Sequence, residues 1–560
     1  MTHPGVPAGW PRTSEPLSVA ILGWARLSLQ AAEGSGYNLN ASELGAGLVM
    51  MGHSVHYLSS GMSYSVRPGI RLRHREAWRG VRCDEIVNSP NLSPAAANFS
   101  NHHQEMHCAK QTRLVLRWLS ARNVQVVHVH SLEGFSFDLI AAMRSAGHVV
   151  VITPHNYWYA CGQVDLLYKE HALCRDYEGG VKCVDCLQAD RPALQRAKRA
   201  AVGLSERIAG PKQTELIRLK AKRFLGPGRS ERSPRRERRN LLPDDSVARG
   251  HSVSAEDNGL LNHRFFDGDA AEPAAPVPLH FDENERFTSR GDLHLRVINT
   301  HGQRRRAGLA AMKQAHLVTP PSEFNRSLHA SMGVSEDMIR VLPYGQPHFD
   351  QINRKTRRSP FYHERPWRPG EAARPLRLGF FGTTRANKGL EVLVRAVRML
   401  DRDVRARCQF IVRAAGKDWE FRKRMAAYPE MNFLGGYDIL QLINAGGEYD
   451  VGLLPHVWFD NSPLVMWEHL HAGKMVIAAR LGGAADTIRS LDDDSRGNGL
   501  FFAGGVAADL ARQITRIVTG EVVVPSAAEV HDASELQTYP GHVTEVDSIY
   551  RELMRSNSIS

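Results

Sequence analysis

A lysine in a glycine-bounded turn is the first feature of the sequence that could do chemistry. Residues 382–389 read GTTRANKG, between a predicted strand and a predicted helix. A turn of this kind at the carboxyl end of a strand directs backbone N–H groups and a helix N-terminus toward an anion, and Lys388 adds positive charge. Gly389 follows the lysine, so the turn is not a G-x-x-x-x-G-K-[ST] loop. It indicates a diphosphate site, with an ordinary strand-to-helix turn as the alternative.

Two carboxylates on either side of a predicted helix start form a second candidate site. Asp460 and Glu468 are eight residues apart in PHVWFDNSPLVMWEHLHAG, and Pro463 suits the first turn of a helix that carries Glu468. Free amides at the helix start could hold a phosphate, and the carboxylates could hold sugar or ribose hydroxyls. The alternative is a capped helix with a solvent-facing glutamate.

A histidine follows a third candidate strand. His155 ends HVVVITPH, and the carboxyl edge of a parallel strand is where doubly wound folds bind ligands. A hydrogen-bonded structural histidine is the alternative. Gly34 and Gly36 flank Ser35 in an early loop, but the full G-x-G-x-x-G pattern is absent, which disfavours a nicotinamide enzyme.

Four of the seven cysteines lie close together in the sequence. Cys161, Cys174, Cys183 and Cys186 have the spacing C-x12-C-x8-C-x2-C. Four thiolates with a C-x2-C knuckle can form a tetrahedral zinc site, and such a site would be structural because no His or Glu ligands of an open site accompany it. Buried thiols and a redox pair are the alternatives.

The elements that must position these residues alternate between strands and helices. Short apolar runs recur in both halves of the chain with amphipathic stretches between them, which predicts two parallel sheets covered on both faces. We therefore expect the following organisation along the chain: a flexible start (1–16), a first domain (17–340) with a Cys-rich segment (156–190) and a partly disordered insertion (205–300), a second domain (341–535), and a C-terminal helix and tail (536–560).

Charge and composition exclude several classes of protein. The net charge of +12 is concentrated in residues 211–240, which hold eleven Lys or Arg against three Glu, so a nucleic-acid binder with a basic face is disfavoured. This basic segment is either a solvated loop or a contact for anionic lipid headgroups or an anionic acceptor. No apolar run reaches the ~18 residues of a bilayer span, and the N-terminus shows no signal pattern. We expect a cytoplasmic protein with peripheral contact at the inner face of the plasma membrane.

Taken together and in this order, the motifs resemble the glycosyltransferase family 4 group of GT-B enzymes. The resemblance rests on EGSGYNLNASELGAGLVMMGHSVHYL, VQVVHVHS, VVITPHNYW, LVTPPSEFNRSLHASMG, LGFFGTTRANKGLEVLVRAV and HVWFDNSPLVMWEHLHAGKMVIAARLGG. The Cys-rich segment is similar to one found in a bacterial subset that builds surface polysaccharides.

The resemblance implies a role for each site residue. Lys388 would contact the donor diphosphate, Glu468 the ribose and Asp460 the donor sugar. The residues from Asn461 to Leu464 (Asn461, Ser462, Pro463 and Leu464) would also bind the donor. His155 and the loop Gly34–Gly36 would face the cleft from the first domain, which would bind the acceptor. Asp460 replaces the first glutamate of the family's E-x7-E pattern, and Thr383 occupies the place of its usual arginine, with Arg385 nearby as a substitute.

The implied activity is transfer of a sugar from a nucleoside-diphosphate donor to a glycan or lipid-linked acceptor, with retention of anomeric configuration. A lysine and helix amides can stabilise the charge on the departing diphosphate, so we expect no cofactor for catalysis. Two other classes stay open: a non-catalytic GT-B-like protein that binds a glycan or nucleotide, and a scaffold recruited to membranes through residues 211–240.

Overall fold

The computed structural model describes residues 7, 9–27, 36–169, 172–175, 177–187, 191–225, 290–370 and 374–557. These residues form two α/β halves that face each other. The resulting fold class is GT-B, with two doubly wound sheets, as the alternation of strands and helices predicts. Within the described ranges, no helix is long and apolar enough to cross a bilayer.

The first sheet is parallel except at one edge. Its strands in the described residues are β1 (Ser18–Gly23), β2 (Ser54–Ser63), β3 (Arg71–His74), β4 (Arg82–Val87), β5 (Val126–Val129), β6 (Val149–Ile152) and β9 (Leu317–Val318), in the order β3-β4-β2-β1-β5-β6-β9. Only β3 pairs antiparallel, with β4. Strand β1 contributes Ile21 to the apolar layer on one face and Leu22 to the layer on the other. Side chains of successive strand residues point to opposite faces, so this strand must be covered on both.

Helices cover both faces of the first sheet. The helices of this half are α1 (Gly36–Met51), α2 (His102–Met106), α3 (Ala109–Ser120), α4 (Asp138–Ser145), α5 (Val181–Cys186), α6 (Pro192–Leu225), α7 (Arg290–Met312) and α8 (Glu323–Ser331). A small hairpin, β7 (Leu167–Tyr168) and β8 (Ala172–Leu173), precedes α5. Helix α6 breaks at Gly210, whose φ of 78° lies outside the helical region.

The second sheet is parallel throughout. Its strands are β10 (Leu376–Thr383), β11 (Cys408–Ala415), β12 (Met431–Gly435), β13 (Val451–Leu454), β14 (Val476–Ala479) and β15 (Gly499–Phe502), in the order β12-β11-β10-β13-β14-β15. The helices of this half are α9 (Pro347–Arg357), α10 (Leu390–Met399), α11 (Arg402–Ala406), α12 (Trp419–Arg424), α13 (Ile439–Asn444), α14 (Leu464–His471), α15 (Ala484–Thr487), α16 (Ala507–Thr519) and α17 (Ala527–Asp532). Helix α10 buries Leu390, Leu393, Val394 and Val397, which is the i, i+3, i+4, i+7 stripe of an amphipathic helix.

The last helix, α18 (Tyr539–Asn557), returns to the first half of the chain. Its Tyr539 hydroxyl donates to the carbonyl oxygen of Glu43 at 2.6 Å, and its Tyr550 hydroxyl lies 2.6 Å from Nδ1 of His128. Tyr550 is buried in the same apolar layer as Ile21. The end of the chain therefore forms part of the first domain's core.

The structure describes only the two ends of the segment 205–300. Residues 205–225 continue α6, and residues 290–300 begin α7, so both ends are helical. Residues 226–289 lie outside the described residues. Strands β3, β4 and β15 lie outside the strands that the apolar runs predict.

Candidate functional site

The predicted anion-binding turn lies at the point where the second sheet reverses its strand order. Strands β10 and β13 are parallel neighbours, with β11 and β12 on one side and β14 and β15 on the other. Ligands of doubly wound folds bind outside the carboxyl ends of strands at such a reversal. The turn 384–389 follows β10, and Asp460 lies in the loop that follows β13. Sheet topology therefore brings the two predicted motifs together.

Gly389 fixes the shape of this turn. It adopts φ +73°, in the left-handed region, and a Cβ at this position would overlap the carbonyl oxygen of Pro455. The backbone N–H of Val457 donates to the carbonyl oxygen of Asn387 at 3.1 Å. Only glycine allows the turn to approach the β13 loop this closely. As a result, the start of α10 and the β13 loop border one cleft.

Lys388 and Asp460 form an ion pair across this cleft. The ammonium Nζ lies 2.6 Å from Oδ2 of Asp460, and Nζ also lies 5.2 Å from the ring centroid of Trp458. The lysine side chain is 33% exposed, whereas that of Asp460 is 9% exposed. Because a third of the lysine side chain is exposed, an incoming anion can reach its ammonium and compete with the carboxylate.

Two glycines pack against the backbone of the loop that carries Asp460 and Asn461. Gly482 and Gly483 approach the backbone of Asp460 and Asn461 so closely that a Cβ on either glycine would overlap it. The N–H of Gly483 donates to the carbonyl oxygen of Asp460 at 2.8 Å. The ARLGG stretch after β14 thus supports the β13 loop.

Asn461 connects the second domain to the first. Its Nδ2 donates to the carbonyl oxygen of Pro154 at 2.9 Å. Its own carbonyl oxygen accepts from Oγ of Ser322 at 2.7 Å and from Nδ2 of Asn325 at 2.9 Å. Its Oδ1 is buried and has no hydrogen-bond partner among the described residues. The cleft is therefore closed by protein contacts beside Asp460, with one amide oxygen left for a ligand.

The start of α14 faces the first domain. Ser462 accepts a hydrogen bond from Nε1 of Trp467 at 2.8 Å, and Pro463 immediately precedes the helix. A Cβ built at Gly36 would lie 3.2 Å from Cδ1 of Leu464. The predicted loop from Gly34 to Gly36 thus reaches α14 at Gly36, whereas Gly34 and Ser35 lie outside the described residues.

Glu468 is buried and paired. Its Oε1 lies 3.1 Å from Nε2 of His348, at the start of α9, and both side chains are less than a tenth exposed. Tyr437 follows β12, and burial first and the charge of Glu468 second raise its pKa. An oriented carboxylate therefore lies near an aromatic ring at the carboxyl edge of the sheet, two features that suit a ribose and a base.

His155 has both ring nitrogens engaged. Its Nε2 lies 2.9 Å from Nδ1 of His130, and its Nδ1 lies 2.9 Å from the hydroxyl of Tyr344. Burial, with a smaller contribution from His542, lowers the pKa of His155 to about 3, so the ring is neutral at pH 7. His155 can orient a neighbour or polarise a hydroxyl, but it cannot supply positive charge.

His155 and Asp460 belong to the same region of the cleft. The charge of Asp460 adds to burial in raising the pKa of Tyr344, the tyrosine that contacts His155. The same charge acts on Tyr157, whose hydroxyl lies 2.7 Å from the carbonyl oxygen of Phe459. The residues predicted from the two halves of the sequence thus meet at one interface.

Two predicted donor residues lie at the rim. Thr383 is the last residue of β10 and is half-buried, and its Oγ1 accepts from the backbone N–H of Arg385 at 3.4 Å. Arg385 is exposed, and its guanidinium forms no hydrogen bond or ion pair in the described part of the protein. The structure therefore does not bring Arg385 into the ion pair of Lys388 and Asp460.

The four clustered cysteines lie near one another in space. All four are half-buried and form no disulfide. Burial first and the neighbouring thiols second raise the pKa of Cys174 and of Cys183 to about 12. Within the described residues, however, no three His, Cys, Asp or Glu side chains are arranged as a group that could hold a metal ion.

Several site residues escaped the sequence analysis. These residues are His130, Asn325, Tyr344, His348 and Tyr437. Tyr344 and His348 lie four residues apart in PYGQPHF, at the crossing between the domains, where both halves of the protein are in reach. Their position at the crossing could have indicated that they belong to the site, but it does not specify which carboxylate each side chain approaches.

Comparisons with known proteins agree with this geometry. Residues 375–520 match the family model of glycosyl transferases group 1. No curated protein sequence matches the chain. Among solved structures, sucrose-phosphate synthase from Thermosynechococcus elongatus is similar at 13% identity and a TM-score of 0.51, over 96% of this chain and 100% of that one.

Two further solved structures are similar at lower scores. HepE from Anabaena in complex with UDP has 11% identity and a TM-score of 0.48, over 96% of this chain and 100% of that one. The catalytic domain of starch synthase IV from Arabidopsis thaliana, bound to ADP and acarbose, has 12% identity and a TM-score of 0.48, over 97% and 100%.

The fold and the site together define the class of protein. The chain has the GT-B fold of two facing doubly wound domains. Residues 375–520, which match the family model of glycosyl transferases group 1, contain the Lys388 turn and the helix with Glu468. These findings support a sugar-transferring enzyme.

Proposed function

We propose that the protein is a retaining glycosyltransferase that moves a sugar from a nucleoside-diphosphate donor to a glycan or lipid-linked acceptor. The observation that carries the proposal is the ion pair of Lys388 and Asp460 at the reversal point of the second sheet, with the buried Glu468 on the helix that follows, within residues that match the group 1 glycosyl transferase family model. Retention of configuration and a role in cell-surface polysaccharide synthesis follow from the resemblance to family 4.

The donor diphosphate would bind at the start of α10. Lys388 supplies a positive charge there, and the first N–H groups of the helix point toward the same side. During transfer, negative charge grows on the departing diphosphate, which the ammonium and the amides stabilise. In this proposal the protein's own groups carry that charge, without a metal cofactor.

The nucleoside would lie between Glu468 and Tyr437. The carboxylate of Glu468 accepts hydrogen bonds from two ribose hydroxyls, while His348 holds one of its oxygens in place. Tyr437 lies at the carboxyl edge of β12 and offers an aromatic face to the base. These roles explain why the domain crossing contributes a histidine to the donor site.

The transferred sugar would face the first domain. Asp460 and the unpaired Oδ1 of Asn461 accept hydrogen bonds from sugar hydroxyls. His155, held neutral between His130 and Tyr344, forms part of the opposite wall. The contact between Asn461 and Pro154 excludes water from this side, which limits hydrolysis of the donor.

We also propose that α6 contacts an anionic membrane surface and so brings the enzyme to a lipid-linked acceptor. The helix exposes Leu204 and Ile208, which is 79% exposed. Arg199 ties the helix to the carbonyl oxygen of Gly61, at the end of β2. The basic segment 211–240 begins in this helix, and its part beyond residue 225 lies outside the described residues. We expect the protein to bind anionic vesicles in a salt-sensitive manner. The double variant Leu204→Glu/Ile208→Glu should bind the vesicles more weakly, and Lys388→Ala should bind them as the wild type does.

Nucleotide binding tests the donor site. Wild-type protein is titrated with UDP, GDP, ADP and TDP, and its melting temperature is followed. We expect stabilisation by one of them, lost in Lys388→Ala and in Glu468→Ala but kept in Lys313→Ala, which alters an exposed lysine between α7 and β9 of the first domain. Stabilisation by none of the four would contradict the proposal. If a nucleotide stabilises the protein but no sugar is transferred to any acceptor tested, the result would favour the alternative of a non-catalytic binding protein.

A further inference from the structure

Two buried amide side chains at the boundary between the domains have polar atoms without a hydrogen-bond partner. Gln346, which immediately precedes α9, is 1% exposed, and neither its Nε2 nor its Oε1 has a partner among the described residues. Asn40 on α1 is also 1% exposed, and its Nδ2 has no partner among them. Buried polar groups are nearly always paired, because an unpaired group loses the hydrogen bonds that water gives it in the unfolded chain. Three such atoms at one boundary therefore point to a ligand that supplies the missing partners.

Gln346 lies on the chain between two residues that line the proposed donor site. Two residues before it is Tyr344, whose pKa is raised by burial and by the charge of Asp460. Two residues after it is His348, whose Nε2 lies 3.1 Å from Oε1 of Glu468. The proposed function places the transferred sugar beside Asp460 and the ribose beside Glu468. The amide of Gln346 does not cap α9, and its position in the chain is between the residues that approach these two hydroxyl-bearing parts of the donor.

Asn40 lies on the face of α1 that meets the second domain. Gly36, Asn40 and Glu43 are spaced i, i+4, i+7 and share one face of the helix. A Cβ built at Gly36 would lie 3.2 Å from Cδ1 of Leu464, at the start of α14. Burial raises the pKa of Glu43, and the charge of His348 is among those that oppose this shift. Asn40 therefore lies between two positions of α1 that approach α14 and the start of α9.

An amide recognises a different chemical group from the lysine of the same cleft. A carboxamide offers N–H donors and a carbonyl acceptor without net charge, and a sugar hydroxyl both donates and accepts. A phosphate offers acceptors only, and its charge is better matched by an ammonium such as that of Lys388. Hydroxyl groups therefore satisfy both atoms of the Gln346 amide and the Nδ2 of Asn40, whereas a phosphate would leave Oε1 of Gln346 unpaired.

We propose that Gln346 and Asn40 form a subsite that binds hydroxyl groups of the nucleotide-sugar donor from opposite walls of the cleft. This inference rests on the proposed function and extends it, because it assigns two residues that determine which donor is accepted. The hydroxyls belong either to the ribose or to the transferred sugar, which share this chemistry. Both amides are covered in the structure, so the donor enters when the two walls separate, and their return encloses it. A donor without the matching hydroxyl leaves the amides unpaired and is rejected.

The melting temperature of the ligand-free protein tests whether these amides serve a ligand or the fold. Gln346→Met replaces the amide by an apolar side chain of similar length, so it removes two unpaired buried atoms and should raise the melting temperature by about 1–3 °C. Gln513→Met is the matched control and should lower it, because the buried Gln513 donates to the carbonyl oxygen of Phe501 at 2.8 Å and accepts from Arg516 at 2.8 Å. A fall in Gln346→Met as large as that in Gln513→Met would overturn the proposal, since it would mean that Gln346 stabilises the fold through buried water.

Calorimetric titration tests whether the amides bind the donor. The probes are UDP, GDP, ADP and TDP, each alone and as its glucose conjugate. For the probes that the wild type binds, we expect Gln346→Met to reduce the affinity about tenfold and Gln513→Met to leave it unchanged. A loss confined to the glucose conjugates assigns the hydroxyls to the transferred sugar, whereas an equal loss with the nucleotides alone assigns them to the ribose. Wild-type affinity for both kinds of probe would overturn the proposal.

A second variant covers the case in which Gln346→Met does not fold. Asn40→Leu removes the unpaired Nδ2 with a side chain of similar size, so it should also raise the melting temperature and weaken donor binding; unchanged donor affinity would overturn the proposal. If the proposed function is wrong, wild-type protein binds none of the probes, or Lys388→Ala binds them equally well. If only the subsite is wrong, Lys388→Ala weakens binding, and Gln346→Met and Asn40→Leu bind as the wild type does.

Discussion

The ammonium of Lys388 lies 2.6 Å from the carboxylate of Asp460, and the two residues come from loops that follow neighbouring parallel strands. In the proposed reaction these groups have different partners, the lysine the donor diphosphate and the aspartate the donor sugar. Their pairing in the structure therefore opposes donor binding until the diphosphate displaces the carboxylate.

Removing the charge of Asp460 should separate nucleotide binding from turnover. In Asp460→Asn the lysine no longer has a competing carboxylate, so we expect the affinity for the nucleoside diphosphate to rise by about fivefold, which corresponds to ~1 kcal/mol. The rate of sugar transfer should fall, because a contact to the donor sugar is lost. Calorimetric titration and a turnover assay measure the two effects. Asp492→Asn, in an exposed ion pair with Arg516, is the control; weaker nucleotide binding in Asp460→Asn would contradict this account.

The contact between His348 and Glu468 should set the affinity for the donor. His348→Ala removes the group that orients Glu468 and leaves a buried carboxylate without its partner, so we expect the donor KM to rise about tenfold with little change in kcat. His348→Gln can still donate from an amide and should restore part of the loss. Steady-state kinetics over a range of donor concentrations gives both constants. A fall in kcat with an unchanged KM would assign His348 a different role.

Tyr437 should act through its ring rather than its hydroxyl. If the ring stacks on the base, Tyr437→Ala should weaken nucleotide binding by ~1–3 kcal/mol, and Tyr437→Phe should leave it unchanged. Competition binding with a fluorescent nucleotide measures both variants. Equal losses in the two variants would point to a hydrogen bond from the hydroxyl, and no loss in either would place the base elsewhere.

Buried histidines of the first domain should make the protein less stable in acid. Burial lowers the pKa of His128 to about 3, and its two ring nitrogens contact Tyr550 and Thr153. Below the ordinary pKa of about 6.5 the unfolded chain binds a proton that the folded chain does not, so stability falls as pH drops from 6.5 toward 3. One such group contributes up to ~1.4 kcal/mol per pH unit in that range.

Chemical denaturation at pH 7.5 and pH 5 measures this effect. His128→Gln should be less stable than wild type at pH 7.5 but should lose less stability between the two values. A wild-type protein that is equally stable at both values, or a variant with the same pH dependence as wild type, would contradict the assignment.

The fold was largely predictable because local patterns and global topology agree. The apolar runs at Val126–Val129 and Val149–Ile152 are too short to be helices and lie in the buried centre of a parallel sheet. In contrast, β3 is an edge strand with half-buried and exposed residues, Arg71–His74, so its sequence carries no apolar signal. The helical ends of 205–300 carry little sequence signal, because α6 is polar on most of its length and its apolar positions do not follow a helical period.

The candidate site was predictable where one loop holds several of its residues. Asp460, Asn461 and Glu468 lie within nine residues, and their relation to Lys388 follows from parallel strand order. His348 and Tyr344 lie 120 and 116 residues before Glu468 and Asp460; His348 contacts Glu468, and the charge of Asp460 adds to burial in raising the pKa of Tyr344. Contacts between residues so far apart in the sequence depend on tertiary packing, which no local pattern encodes.

Donor-dependent release of nucleoside diphosphate is the measurement that tests the central claim most directly. Purified protein is incubated with UDP-, GDP-, ADP- and TDP-sugars, with and without acceptor glycans, and Lys388→Ala, Glu468→Ala and Lys313→Ala are measured in parallel. The proposed function predicts release from one donor, a fall of about 10²–10³-fold in Lys388→Ala, a comparable loss in Glu468→Ala, and full activity in Lys313→Ala. Release that persists in Lys388→Ala and Glu468→Ala, or no release from any donor by a protein that no nucleotide stabilises, would contradict it.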